Sequence, residues 1–132
     1  MRILLKKKIY NFISLQKNVG SEQIEQNNFS KFIHDFSNEI DMADNAFVDT
    51  IHILKNIDLL ITSDTALAHL AGTMEINTIL LLNFNPEWRW LLQIKDKCIY
   101  STKLKIIKQS KYNDWTSVIN ELEEKLNNTL IS

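Results

Sequence analysis

Glycine and proline are scarce in this sequence, with two glycines and one proline among 132 residues. Glycine-rich phosphate loops of the GxGxxG or Walker A type need several closely spaced glycines, so both are excluded. A phosphate site in this chain must instead use the N-terminus of a helix, where backbone amides face outward without a glycine cluster.

Cysteine, excess charge and long apolar runs are also lacking. The single cysteine, Cys98, excludes an internal disulfide and a cysteine-rich zinc site. The formal net charge of −1 argues against a general nucleic-acid coat, which needs a basic surplus. No run of about 18 apolar residues occurs, so no membrane-spanning helix is predicted. Residues 1–8 make a poor signal peptide, and we expect a cytoplasmic protein.

The sequence does contain alternating strand-like and helix-like segments. Strand patterns occupy residues 9–15, 32–36, 57–62, 78–82 and 100–108, and Gly20 is expected in a turn. Helical spacing or helix start signals occupy residues 46–56, 66–74, 87–92 and 115–126, the last with Asp114 as its cap. This alternation predicts one α/β domain over residues 1–132, with a Rossmann-like parallel sheet flanked by helices.

Ligands of such sheets bind beyond the carboxyl ends of the strands. Four loops lie at those ends: residues 16–21, 37–45, 63–67 and 83–90. A binding site is therefore expected in one or more of these loops.

The loop after the strand at residues 57–62 has the clearest chemistry. Three polar residues, Ser63–Thr65, lead into a helix whose first amides suit a diphosphate. Ala66 and Ala68 are small enough to let a ligand approach the backbone. His69 shares a side of the helix with Ala66, where it is able to donate to a phosphate or to hold the loop. The alternative is an ordinary aspartate-capped helix with a half-buried histidine.

A second loop places an arginine between two tryptophans. Trp88, Arg89 and Trp90 suit sugar rings and phosphates. The alternative is that both tryptophans belong to the core, while Arg89 pairs with Glu87 or stacks on a ring.

Two weaker features lie earlier in the chain. Lys17 ends the first strand and either reaches a phosphate or is merely solvated. Glu39, Asp41 and Asp44 either bind ribose hydroxyls or a metal, or form a solvated loop. The three histidines show no metal-ligand spacing such as HxxxH, and no nucleophile elbow supports a Ser–His–Asp triad.

Five segments resemble, in the correct order, motifs of the family 9 glycosyltransferases and of related glycosyltransferases that often follow tetratricopeptide repeats. LLITSDTALAHLAG at residues 59–72 resembles the donor-site signature of the heptosyltransferase group. The other four pairs are FISLQK at 12–17 with "SLQKG", DMADNA at 41–46 with "DFADTA", PEWRW at 86–90 with "PDWRW", and NDWTSVI at 113–119 with "GDWxxVI".

The resemblance implies one half of a GT-B fold, the C-terminal domain that binds a nucleotide-diphosphate sugar. It places the diphosphate at Lys17, Thr65, Ala66, Leu67 and His69. It places the donor sugar at Asp64, Trp88 and Arg89, and the nucleoside at Asp44 and Asn45. Neither a metal nor a cofactor is implied, because the helix dipole and the lysine neutralise the leaving diphosphate in an inverting transfer to an acceptor hydroxyl.

Two substitutions and one missing domain depart from the family pattern. Asn18 replaces the glycine of "SLQKG", and Asn45 replaces the threonine of "DFADTA". The N-terminal acceptor domain, which usually supplies the general base, is absent, and residues 1–8 read as a linker remnant. We therefore expect this chain alone to be inactive, with an acceptor domain or a second copy of itself as partner. The alternative is a non-catalytic remnant or a free-standing module that binds a nucleotide or a protein.

Overall fold

The computed structural model describes residues 10–17, 19–42, 46–91, 93–94, 97–98 and 101–129. The chain is an α/β protein with parallel strands in two small sheets flanked by helices. It divides into two compact units, residues 1–53 and 54–132. The predicted α/β class is confirmed, while the described strands pair in separate sheets and not in one continuous sheet. The proposed linker at residues 1–8 lies outside the described residues.

The first unit contains a two-stranded parallel sheet. Strand β1 (Phe12–Ser14) pairs with β2 (Ile33–Asp35), so both predicted strands are present but shorter than their patterns. A one-turn helix α1 (Gln23–Gln26) lies between them, in a segment for which the sequence pattern predicts no helix. Gly20 forms the expected turn with φ 103°, a conformation that glycine adopts without steric cost. Helix α2 (Val48–Leu54) reaches the boundary between the units.

The second unit is built on a three-stranded parallel sheet. Its strands β3 (Leu60–Ser63) and β4 (Thr78–Leu82) are joined by helix α3 (Ala66–Thr73). After β4 come a 3₁₀ turn (Trp88–Leu91) and a two-residue antiparallel pair, β5 (Gln93–Ile94) with β6 (Lys97–Cys98).

Strand β4 lies at the centre of this sheet, between β3 and the later strand β7 (Leu104–Lys108). Its position explains its composition, since a strand covered on both faces needs a continuous apolar run. Thr78, Ile79, Leu80 and Leu82 are all buried. The predicted bounds of β4 agree with the observed ones.

Helix α3 packs against β3 and β4 through its small residues. The buried positions are Ala68, Ala71 and Gly72, whereas Leu67, Leu70 and Met74, which share a face with Ala71, are only partly buried. Ala68 is fully buried in a cluster with Leu80, Leu82, Trp90 and Leu104. The expectation that Ala68 leaves room for a ligand is therefore wrong, because its methyl group fills the contact between helix and sheet. Ala66 remains exposed.

The last helix follows its prediction closely. Helix α4 (Trp115–Thr129) packs against β7 and buries Val118, Leu122 and Leu126. Asp114 caps it, because its Oδ1 accepts a hydrogen bond from the Ser117 amide at 3.1 Å. Hydrogen bonds from Ser117 are the main cause that lowers the pKa of Asp114.

The contrast between two alanines of α3 tests this packing. Ala68→Leu should lower the free energy of unfolding by about 1–3 kcal/mol, because a larger side chain overpacks the full contact. Ala66→Leu should change it by less than about 0.5 kcal/mol, because position 66 faces solvent. Urea denaturation of both variants measures the difference. Equal stability of the two variants would contradict the observed packing of α3.

Candidate functional site

The carboxyl ends of the three strands of the second unit lie at one edge of the sheet. Ser63 is paired with Leu81, and Leu82 is paired with Lys108, so the three strands end within about one residue of each other. The polar segments that follow the strands therefore begin side by side. We call this edge, with residues 63–67, 83–86 and 109–115, the carboxyl edge.

The first feature of the carboxyl edge is the start of α3. Thr65 is its N-cap, with extended backbone (φ −141°, ψ 168°) and no side-chain hydrogen bond to the helix. The Thr65 hydroxyl instead lies 3.3 Å from that of Thr62. The alternative of an aspartate cap at Asp64 is thus wrong. By helix geometry, the amides of Ala66 and Leu67 have no acceptor within the helix.

Behind this helix start, a histidine stacks on a buried tryptophan. The rings of His69 and Trp90 lie 4.6 Å apart at an interplanar angle of 30°, and Trp90 is 1% exposed. Trp90 is therefore a core residue, so the alternative that both tryptophans belong to the core is confirmed for Trp90 and wrong for Trp88, which is exposed. His69 is half-buried, and its ring is oriented by the stack.

Arg89 and Trp88 have different surroundings in the structure. The Arg89 Nε donates to Glu87 Oε2 at 2.7 Å, and this hydrogen bond is the main cause that lowers the pKa of Glu87. Trp88 is exposed and is not among the residues that line the two pockets described below. The structure thus gives Arg89 a partner on its own loop and leaves Trp88 open to solvent.

A pocket of about 230 Å³ lies beside Asp64. Ser63 and Asp64 line it from the end of β3, and Asn83 and Pro86 line it from the loop after β4. Trp115, at the start of α4, contributes an aromatic wall. The pocket brings the predicted sugar residue Asp64 together with the segment that resembles "PDWRW".

A neighbouring pocket of about 240 Å³ was not foreseen from the sequence. It shares Asn83 and Trp115 with the first pocket, and Gln109 lines it from the end of β7. Gln109 is 3% exposed. The rule of the carboxyl ends, applied also to the last strand, is the signal that points to Gln109.

In the first unit, Lys17 is held by the loop that follows β2. Its ammonium donates to the carbonyl oxygens of Ile40 at 2.8 Å and Asp41 at 3.0 Å. The lysine therefore uses two of its three N–H donors within the unit.

Asp41 connects the same loop to the start of α2. Its Oδ1 accepts from the amides of Asp49 at 2.9 Å and Thr50 at 3.3 Å, and its Oδ2 accepts from the Thr50 hydroxyl. In return, the Asp41 amide donates to Asp49 Oδ2 at 2.8 Å. The Asp41 carboxylate thus binds two amides of the first turn of α2, which have no acceptor within the helix, and this accounts for Asp41 as a structural residue.

The structure does not describe the residues that were predicted to contact the nucleoside. Asp44 and Asn45, the predicted nucleoside contacts, lie outside the described residues. Within the described ranges, no group of three or more metal-ligating side chains occurs. The described helices include none with the length and apolar character needed to cross a membrane.

The pKa of Asp41 makes its capping role testable. Burial raises this pKa, but the hydrogen bonds from Thr50 and Asp49 and the charge of Lys17 outweigh it and lower the pKa below its usual value. The stabilisation is therefore present above the unfolded pKa of about 3.9 and is lost as the pH falls through the lower folded value. Asp41→Asn should destabilise the chain at neutral pH, and the difference from wild type should shrink below about pH 4.

Urea denaturation across this pH range measures the difference. Glu39→Gln removes an exposed carboxylate from the same loop and serves as the matched control, with little expected change at any pH. A pH-independent difference between wild type and Asp41→Asn would contradict the assigned role.

Comparison with known proteins adds no identification. No protein-family model, no curated protein and no solved structure matches this chain. The function proposed next therefore rests on the residues and geometry of the chain itself and on the resemblance of its short motifs.

Proposed function

We propose that this chain binds a nucleotide-diphosphate sugar as the donor-binding half of a GT-B glycosyltransferase of the family 9 type, with a Rossmann-like fold. The observation that carries the proposal is the start of α3. Strand β3 ends at the carboxyl edge, and α3 begins three residues later, at Ala66, with no side-chain cap at Thr65. The pocket beside Asp64 lies at the same edge of the sheet.

The electrostatics of this helix start suit a diphosphate. The amides of Ala66 and Leu67 carry the partial positive charge of the helix N-terminus, which favours an anion by about 0.3–1 kcal/mol at an exposed site. Exposed Ala66 leaves the backbone open to close approach. Donors aimed at the diphosphate also stabilise the negative charge that develops on it when the sugar bond breaks.

The pocket beside Asp64 has the size for the sugar part of the donor. Its volume of about 230 Å³ is smaller than the roughly 300–1,000 Å³ of pockets that hold drug-sized ligands. One sugar ring, with its diphosphate at α3, is a better match than a whole nucleotide. Asp64 would accept hydrogen bonds from the hydroxyl groups of that ring.

Lys17 favours a second candidate, a module that binds a nucleotide or a protein without transferring a sugar. The resemblance assigns this lysine to the phosphates, yet its ammonium donates to Ile40 and Asp41 carbonyl oxygens. Such a module would bind a diphosphate at α3 but would not turn over a nucleotide sugar. Release of free nucleoside diphosphate from a nucleotide sugar, measured with the chain supplied together with an acceptor domain and acceptors, separates the two candidates.

A thermal-shift panel of UDP, ADP, GDP and CDP, with UDP-GlcNAc and an ADP-heptose, tests the shared binding step. A ligand at one hundred times its dissociation constant should add about 2.7 kcal/mol of stability, a readable shift. We expect one base to be preferred. Ala66→Leu should weaken binding of that ligand at least about tenfold, a loss of about 1.4 kcal/mol, because its side chain covers the amides.

The matched control is Thr73→Leu, which adds the same side chain at an exposed position at the other end of α3. It should bind as wild type does. Unchanged affinity of Ala66→Leu would move the site away from α3, and a flat panel at millimolar ligand would contradict nucleotide binding by this chain.

A further inference from the structure

The pocket beside Gln109 has chemistry that the proposed donor site does not use. Gln109 follows β7 and is anchored to the exit of β4 by two hydrogen bonds. Its amide donates to the Leu82 carbonyl at 3.0 Å, and its side-chain Oε1 accepts from the Phe84 amide at 3.0 Å. The glutamine side chain is thus fixed in one orientation at the carboxyl edge.

This orientation leaves a buried donor without an acceptor. Because the Phe84 N–H must meet an oxygen, Gln109 Oε1 faces it and Nε2 lies on the opposite side. Nε2 is buried and has no hydrogen-bond partner among the described residues. Buried donors in native proteins almost always have a partner, so this group requires an explanation.

The residues around Gln109 supply both polar and aromatic recognition groups. Three further amide side chains line the same pocket: Asn83, Asn85 and Asn113. Amides carry donors and acceptors in one plane, so they match hydroxyl groups that do both. No charged side chain is among the described residues that line it, which favours a neutral ligand.

Three aromatic rings complete the lining and are left open to solvent. Tyr112, Trp115 and Phe84 are 84%, 42% and 38% exposed. Flat aromatic faces bury the apolar C–H face of a sugar ring, while the amides bind its hydroxyl groups. The Lys108 ammonium lies 5.9 Å from the Phe84 ring centroid, so this ring already has one cationic neighbour.

We propose that the pocket formed by Gln109, Asn113, Tyr112 and their neighbours binds a neutral, hydroxylated sugar ring. Its volume of about 240 Å³ is below the range for drug-sized ligands and suits a single ring. Gln109 lines this pocket, and its Nε2 has no partner among the described residues, so a ring hydroxyl of the ligand would supply the acceptor. This proposal does not rest on diphosphate binding, because the pocket includes no residue of the α3 start.

Titration of the ¹⁵N-labelled chain with methyl glycosides of glucose, galactose and N-acetylglucosamine tests the proposal. Side-chain amide signals of Gln109 and Asn113 should shift with at least one glycoside at millimolar concentration. Glycerol, which has hydroxyl groups but no ring, should leave them unchanged. Absence of a shift with every glycoside and with the nucleotide sugars would overturn the proposal.

Tyr112→Ala and Tyr112→Phe form the matched pair of variants. Tyr112 is so exposed that neither change should disturb folding. Loss of the ring should weaken glycoside binding about three- to tenfold, whereas Tyr112→Phe should stay within about twofold of wild type. Gln109→Glu keeps an acceptor for the Phe84 amide but removes both N–H donors, and it should also weaken binding. Equal affinity of Tyr112→Ala and wild type would overturn the proposal even if the glutamate variant failed to fold.

Comparison of the methyl glycosides with the nucleotide sugars shows which kind of molecule supplies the sugar ring. Shifts with methyl glycosides indicate a separate saccharide, and shifts with UDP-GlcNAc or ADP-heptose alone indicate the sugar of a donor. Either result supports the proposal. Equal shifts with UDP or ADP, which carry no transferable sugar, would overturn it in favour of a nucleoside pocket. Glycoside binding together with a flat diphosphate panel would retain this proposal and reject the proposed donor function.

Discussion

The parallel pairing of β4 with a strand on each side is the constraint on which the carboxyl edge depends. Because β3, β4 and β7 run in the same direction in close register, the segments that follow them start side by side. The pairing continues past the strands, where Gln109 donates to the Leu82 carbonyl and accepts from the Phe84 amide. Polar groups from three distant parts of the sequence are therefore brought together by the pairing of the strands.

Close packing of α3 positions the helix start at this edge. Ala68, Ala71 and Gly72 have little or no side chain, so the helix lies near β3 and β4. Trp90 fills the space beside Ala68 in the core and stacks on His69. Trp90 thus both fills the core beside Ala68 and orients the ring of His69.

How well the sequence predicts each helix or strand depends on the length of the apolar pattern that indicates it. Strand β4 was predicted with its bounds, because five consecutive residues favour a buried strand. Helix α4 and its cap at Asp114 were predicted because its apolar spacing extends over several turns. The two-residue strands β5 and β6 and the single turn of α1 are too short to show a periodic pattern of apolar residues. Gln109 was missed because a polar residue after a strand is common, and its burial comes from tertiary contacts alone.

The most direct test of the central claim is a backbone amide titration of the ¹⁵N-labelled chain with nucleoside diphosphates. We expect the largest shifts at the amides of Ala66 and Leu67, with smaller ones at Asp64 and His69. Those amides are the donors that α3 leaves without an internal acceptor. Shifts confined to other parts of the chain, or no shifts at millimolar ligand, would contradict a diphosphate site at the start of α3.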